Sequence, residues 1–159
     1  MDKLLKIIEN NCDLTNAELA VMTGMTEEEV ASAIEQYKKD GIIIGKRTII
    51  NWHKVDKNLV TAFIEVIVTP QLGQGFDRIA ERFFQFDQVK TVYLMSGAYD
   101  LALIVEGNSL NEVAGFVSEH LAPMEMVIST ATHFVLKKYK SDGMIIENPV
   151  KDERQVLLF

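Results

Sequence analysis

The first third of the chain carries apolar residues at helical spacing in three successive segments. Residues 4–8 give a short helix an apolar side, residues 17–22 predict a second short helix, and residues 27–39 predict a longer one. The apolar positions that recur on one face of the longest helix are Val30, Ile34 and Tyr37.

Two capping signatures mark the starts of the second and third helices. Thr15 with Glu18 and Thr26 with Glu29 both fit the box in which two side chains satisfy backbone N–H groups at a helix start. Gly24 supplies the turn between these helices. This order is the layout of a helix-turn-helix, whose last helix lies in the major groove of DNA. A three-helix structural bundle without a DNA role is the alternative.

A basic turn follows the third helix, which we expect to end at Gly41. The turn is Gly45-Lys46-Arg47, and apolar segments at 42–44 and 48–51 flank it. This arrangement predicts a small wing beside the helix-turn-helix.

The rest of the chain alternates between the two-residue period of strands and the spacing of helices. The predicted elements are a strand over 60–68, a helix over 76–83, strands over 89–96 and 99–106, a helix from the Ser109–Glu112 capping box to Pro123, and a strand over 126–138. The order βαββαβ describes a ferredoxin-like fold with four antiparallel strands and both helices on one face. The predicted fold class is therefore α+β.

Such a sheet needs cover on its second face as well, because its strands carry apolar residues on both faces. An exposed apolar sheet face of this size is an expected interface, and a symmetric dimer covers it most simply. We therefore expect at least a homodimer.

The pattern divides the chain into three parts. We expect a winged helix-turn-helix DNA-binding domain over residues 1–54, a ferredoxin-like effector-binding and oligomerisation domain over 55–140, and a tail over 141–159. The tail ends in a charged stretch at 151–154 and an apolar stretch at 156–159, so we expect it to dock on a neighbour.

Composition and charge narrow the function classes. No apolar stretch is long enough to span a bilayer, and the charged start does not fit a secretory signal, so we expect a cytoplasmic protein without membrane contact. The lone Cys12 and three scattered histidines, at 53, 120 and 133, do not predict a disulfide, a metal site or a cofactor. The net charge is −7, and residues 1–54 are also acidic, so a DNA-binding surface must be a local patch.

Several segments in this order resemble the Lrp/AsnC family of transcriptional regulators, also called feast/famine regulators. They are Leu-Thr-Asn-Ala-Glu-Leu-Ala at 14–20, Asp-Gly-Ile-Ile at 40–43, Asn51, Gly-Ala-Tyr-Asp-Leu at 97–101 and Thr-Ala-Thr-His-Phe-Val-Leu at 130–136. The resemblance runs from about Leu4 to Lys138. It implies a winged helix-turn-helix, a ligand-binding ferredoxin-like domain, dimers that often form octamers, and an amino acid as effector.

The turn between the two hairpin strands suits such an effector. Gly97 lets a ligand approach backbone N–H groups, which suit a carboxylate, and Asp100 could hold an α-ammonium group. Tyr99 offers a ring and a hydroxyl; without the resemblance, the same four residues are more simply a plain hairpin. The expected effector-binding residues are Gly97, Ala98, Tyr99, Asp100, Thr130 and Thr132.

The third helix departs from the family pattern. Family members often carry arginine or lysine on its exposed face, where this chain has Ser32, Ala33, Glu35 and Gln36. Glutamates near phosphates repel them, although a glutamate can accept a hydrogen bond from cytosine N4. The expected DNA-binding residues are Thr26, Glu27, Glu28, Ser32, Gln36, Lys38, Lys39, Lys46 and Arg47.

The sequence therefore predicts a regulator that binds double-stranded DNA and responds to an amino acid at a dimer interface, with no catalytic residues. Two alternatives stay open. Siroheme decarboxylases are similar to this family in both domains, but such chemistry needs histidine and arginine side chains that converge on a pocket. The other alternative is a sensor or assembly protein that has lost DNA binding.

Overall fold

The computed structural model describes residues 2–55, 58–69 and 75–146. The chain forms two compact units, which divide between Ile49 and Ile50, and each is described by itself. Within the described residues, no helix is long and apolar enough to cross a membrane. The predicted docking of the tail falls mostly on residues 147–159, which lie outside the described residues.

The first unit is a three-helix arrangement with α1 over Lys3–Asn10, α2 over Asn16–Thr23 and α3 over Glu27–Lys39. Both predicted capping boxes are formed, at the starts of α2 and α3. Gly24 closes α2 with φ 80°, a left-handed conformation that glycine adopts without strain. The predicted helix-turn-helix layout is therefore confirmed.

A small apolar core joins the three helices. Its buried members are Leu4, Leu19, Ala20 and Val30. A polar contact closes one edge of this core, because the Tyr37 hydroxyl of α3 donates to the carboxylate of Asp2, which also caps α1. This hydrogen bond lowers the pKa of Asp2 and raises the pKa of Tyr37. The sequence pattern predicted only the apolar side of Tyr37.

The segment after α3 differs from the predicted wing. Among the described residues, none between Ile42 and Asn51 belongs to a strand, so the two flanking segments do not pair within the chain. The backbone N–H groups of Ile42 and Ile43 both donate to the Tyr37 carbonyl and so complete the end of α3 instead. A two-stranded ribbon alone is marginal in water, which agrees with the lack of strand pairing at these residues.

The second unit is the predicted βαββαβ fold. Its elements are β1 Val60–Val68, α4 Asp77–Phe83, β2 Val89–Leu94, β3 Leu101–Gly107, α5 Leu110–Phe116 with a π-helical turn Val117–Leu121, β4 Val127–Phe134, and a small hairpin of β5 Lys140–Ser141 and β6 Met144–Ile145. The four main strands lie in the order β2-β3-β1-β4, and every neighbouring pair is antiparallel. This is the strand order of a ferredoxin-like sheet.

The two faces of the sheet differ in cover. Alternate residues of β1, from Ala62 to Val68, are buried with residues of α4 and α5 in the core of this unit. The largest fully buried side chains of this core are Phe83, Ile64, Leu101, Leu103 and Leu121. On the opposite face Phe63, Ile67 and Ile104 remain half-buried, and Tyr93 is 55% exposed.

Three predicted strand boundaries are wrong. The last strand ends at Phe134, not at residue 138, and one further hydrogen bond, from the Val135 N–H to the Thr61 carbonyl, closes its pairing with β1. The first hairpin strand ends at Leu94, not at residue 96, and the second begins at Leu101, not at residue 99. Asn51 donates from its Nδ2 to the Ile146 carbonyl, 3.1 Å away.

The capping boxes predict a specific dependence of stability on pH. Hydrogen bonds from Thr15 and Thr26 lower the pKa values of Glu18 and Glu29 below the ordinary value of 4.5. A carboxylate with a lowered folded-state pKa stabilises the fold above its unfolded pKa, and this contribution is lost as the pH falls through the folded value. We expect the double variant Glu18→Gln, Glu29→Gln to lose less stability than the wild type as the pH falls below 4.5.

Urea unfolding followed by helical circular dichroism at a series of pH values measures this difference. Glutamine can still accept the hydrogen bond of the box, so the variant keeps the cap and loses only the titration. The matched control is Glu9→Gln, an exposed glutamate of α1. Parallel pH curves for the wild type and the double variant would contradict the prediction.

Candidate functional site

The exposed side of α3 is the candidate DNA-reading surface. Val30 is fully buried, and at 3.6 residues per turn Glu28, Ser32 and Lys39 lie on the opposite side of the helix. All three side chains are exposed. A helix held by one face against α1 and α2 presents this opposite face outward, as recognition by a helix-turn-helix requires.

Most charged side chains around this surface have partners within the unit. Glu29 Oε2 accepts from the Thr26 backbone N–H at 2.8 Å, and Glu35 Oε1 lies 2.6 Å from Lys38 Nζ. The hydrogen bond from Lys38 lowers the pKa of Glu35, as the capping bond lowers that of Glu29. Gln36 donates to Asp40 Oδ1 at 2.8 Å. The lowered pKa values keep Glu29 and Glu35 ionised, and of these contacts the ion pair with Lys38 is the one that compensates a negative charge on α3.

The remaining predicted DNA-binding residues divide into two kinds. Thr26 caps α3 with its hydroxyl, a structural role that its place in the capping box already indicated. Lys46 donates to the Cys12 carbonyl at 2.8 Å, which fixes the basic turn against the loop after α1. Lys39 and Arg47 are exposed, and among the described residues neither makes a hydrogen bond or an ion pair.

The second candidate site is the turn between β2 and β3. Gly97 has φ 148°, a conformation that other residues rarely adopt, and a Cβ built there would meet nothing within 4 Å. The turn is therefore open to solvent at this point, and its backbone can be approached closely. Ala98 beside it is exposed, so neither residue is consumed by the packing of this unit.

Asp100 ties this turn to the end of β1. Its Oδ2 accepts from the Val68 backbone N–H at 2.9 Å, and its own N–H donates to the Val66 carbonyl at 3.1 Å. Its carbonyl also accepts from the Met95 N–H at 2.8 Å. Among the described residues, Oδ1 has no hydrogen-bond partner. Asp100 thus holds the turn against the end of β1, and its Oδ1 remains available to a ligand.

Tyr99 connects the turn to the open face of the sheet. Its ring contacts Phe63 edge to face, with centroids 6.1 Å apart, and Phe63 in turn contacts His133 at 6.2 Å. His133 Nε2 lies 3.4 Å from Glu65 Oε1 on the neighbouring strand. The strand pattern did not single out this acid–base pair, although its positions follow from the register of β1 and β4.

The structure separates the predicted threonines from the rest of the site. Thr130 pairs with Val66 and Thr132 with Ile64, so both side chains lie on the helix-covered face, whereas Tyr99 packs toward the open face. Thr130 pairs with Val66, whose carbonyl accepts from the Asp100 N–H. Thr132 pairs with Ile64, two residues along β1 from that contact.

A second polar cluster on the open face was also missed. Glu106 Oε1 lies 3.3 Å from Lys138 Nζ and 3.4 Å from the Thr61 hydroxyl. Its side chain is only 16% exposed, so the lysine compensates a largely buried charge. No group of three or more metal-ligating side chains occurs in the part of the chain that the structure describes.

Family models match both units. The model described as Lrp/AsnC ligand binding domain matches residues 61–145, and the model described as winged helix-turn-helix DNA-binding matches residues 3–44. The two matches cover α1 to α3 and the whole βαββαβ unit, respectively.

Relatives with assigned names agree with these matches. The chain is 44% identical to the uncharacterized HTH-type transcriptional regulator YugG of Bacillus subtilis over 156 residues. This aligned region covers 98% of this chain and 94% of that protein. It is 23% identical over 130 residues to the regulatory protein AsnC of Haemophilus influenzae, covering 82% and 85% of the two chains.

Solved structures share the fold. The transcriptional regulator NMB0573 of Neisseria meningitidis, solved as a complex with L-Met, superposes with a TM-score of 0.71 at 23% identity, covering 89% of this chain and 93% of that one. The leucine response regulatory protein LrpA of Mycobacterium tuberculosis gives a TM-score of 0.75 at 21% identity, covering 92% and 100%.

The exposed face of α3, the βαββαβ unit with its open turn, and the matches to both units lead to one conclusion: the chain belongs to the Lrp/AsnC family of DNA-binding transcriptional regulators.

Proposed function

We propose that this regulator responds to a free amino acid bound at the turn of residues 97–100. The observation that carries the proposal is the pairing of an open backbone at Gly97 with an acidic clamp at Asp100. The regulator of Neisseria meningitidis with a similar fold was solved with L-Met, which supports an amino acid as the ligand class.

The two ends of an amino acid fit the two ends of this turn. Exposed backbone N–H groups around Gly97 suit the α-carboxylate, because no Cβ stands between them and a ligand. The unpaired Oδ1 of Asp100 suits the α-ammonium, since a charge-assisted hydrogen bond is stronger than a neutral one. Thr130 and Thr132 lie on the other face of the sheet, so we assign them no direct contact with the ligand in one protomer.

The open face of the sheet supports a homodimer. Half-buried Phe63, Ile67 and Ile104 lie together on the face that α4 and α5 leave uncovered. A second copy would bury this apolar surface with little entropy cost for ordering, since the strands are already fixed. Tyr99 contacts Phe63, so the effector turn would adjoin the dimer interface, and dimers could assemble further into octamers.

This arrangement gives the regulator a switch. An effector that binds one assembly state more tightly than another shifts the population toward that state and so changes the spacing of the DNA-binding units. On DNA we assign phosphate contacts to Lys38, Lys39, Lys46 and Arg47, and base contacts to the exposed face of α3. Because such a protein acts where the DNA is, we place it in the cytoplasm.

The charge of Asp100 is the first requirement to test. In Asp100→Asn the side-chain oxygen can still accept from Val68, so the turn keeps its shape, but the attraction for an ammonium group is lost. We expect the affinity for the effector to fall by about tenfold or more, as for a hydrogen bond to a charged group. Titration calorimetry with each standard amino acid measures the wild-type and variant affinities.

The control for this titration is Asp87→Asn, which removes an equal charge from an exposed loop residue of the same unit. It should bind the effector as tightly as the wild type does. Equal affinity of Asp100→Asn and the wild type would remove Asp100 from the site, and no binding of any amino acid would refute the proposed ligand class.

The open sheet face is tested by a charge placed on it. Phe63→Asp should convert the dimer to a monomer, because it replaces an apolar ring of the interface by a carboxylate whose burial costs free energy. Sedimentation velocity measures the assembly state, and circular dichroism checks the fold. Phe84→Asp is the matched control, since Phe84 is 59% exposed and lies just after α4. A wild-type monomer, or a Phe63→Asp dimer, would contradict the assignment of this interface.

A further inference from the structure

We propose that Glu28 reads a cytosine base in the major groove and is a main source of sequence specificity for this regulator. The proposal rests on the DNA-binding function and names one feature of the DNA sequence that the helix-turn-helix prefers. Glu28 places a carboxylate where a basic side chain would increase the affinity for DNA of any sequence.

The position of Glu28 is the first argument. It stands on the second residue of α3, on the side opposite the buried Val30, and its side chain is exposed. Ser32 follows one helical turn later on the same side, about 6 Å further along the axis. A recognition helix contacts base edges with residues near its N-terminus, so this is where a side chain meets a base.

Glu28 differs from two other carboxylates of α3 in having no partner among the described residues. Glu29 is held in the capping box by Thr26, and Glu35 is paired with Lys38 at 2.6 Å. Among the described residues, Glu28 makes no hydrogen bond and no ion pair, so both of its carboxylate oxygens are available to accept hydrogen bonds from a base. Glu27 is equally unpaired, but it lies about 100° around the helix, away from the line of Glu28 and Ser32.

The chemistry of the groove then selects the base. A carboxylate only accepts hydrogen bonds, so it is repelled by the N7 and O6 acceptors of guanine and by O4 of thymine. The N6 amino group of adenine donates, but acceptors lie on both sides of it. The N4 amino group of cytosine has an acceptor on one side only, so cytosine is the base that a free glutamate tolerates best.

The overall charge of the unit makes this contact important. Residues 1–54 carry more carboxylates than lysines and arginines, so attraction to the phosphate backbone is weak. A protein with weak phosphate attraction depends on its base contacts to hold a site. An unpaired glutamate on the reading surface therefore lowers the affinity for DNA that lacks the cytosine and preserves it for DNA that has one.

Selection from duplexes with a randomised core tests the proposal with the full-length protein and without a known operator. We expect the wild type to enrich a two-fold symmetric motif with a cytosine in each half-site. Glu28→Gln should change the preference at this one position toward adenine, which pairs well with an amide side chain, and leave the rest of the motif unchanged. Glu9→Gln, the same charge change on an exposed residue of α1, should enrich the wild-type motif.

Fluorescence anisotropy on the enriched duplex gives the magnitude. We expect the wild type to bind it about tenfold more tightly than the duplex with adenine in place of that cytosine, and Glu28→Gln to abolish or reverse the ratio. An unchanged motif with Glu28→Gln, or tighter binding to all duplexes by the same factor, would overturn the base-reading role while leaving DNA binding intact. A wild type that enriches no motif would instead refute specific DNA binding, and this proposal with it.

Discussion

Two helices can cover only one face of a four-stranded sheet, and this constraint organises the ligand-binding unit. The covered face is sealed by alternate residues of β1 packed against α4 and α5. The other face keeps Phe63, Ile67 and Ile104 half-buried, together with the pairs Glu65–His133 and Glu106–Lys138. Because Tyr99 of the open turn packs on Phe63, the site proposed for the effector and the surface proposed for assembly are joined by one aromatic contact. An effector that binds one assembly state more tightly than another could act on assembly through this contact.

The DNA-binding unit shows how an acidic sequence can build a helix-turn-helix. Two of its glutamates complete capping boxes and a third pairs with a lysine one turn away, so these three charges stabilise the helices that carry them. The side of α3 opposite the buried Val30 carries Glu28, Ser32 and Lys39. Of these, Glu28 and Ser32 can contact bases and Lys39 can contact a phosphate. Specificity in this regulator would then depend more on base contacts than on a strong positive field.

Local signals predicted much of this fold. The two capping boxes, the glycine at position 24 and the βαββαβ order all appear in the structure, because each depends on residues close together in the sequence. The strand ends and the bond between Tyr37 and Asp2 were missed, since each depends on a partner far along the chain. The wing is a different case, because the pattern predicted strand pairing that residues 42–51 do not form. The same limit applies to the turn at 97–100. Its glycine indicated an open backbone, but the clamp from Asp100 to β1 and the placement of Thr130 on the opposite face follow only from the register.

The most direct test of the account is whether an amino acid changes how this protein binds DNA. Fluorescence anisotropy would compare a duplex from the upstream region of its own gene with a scrambled duplex, each with and without pooled amino acids. We predict a preference for the native duplex, weakened by added salt, and a shift in its affinity or stoichiometry when the amino acids are present. Equal binding to both duplexes under all conditions, or no binding at low salt, would contradict the account of a ligand-responsive regulator.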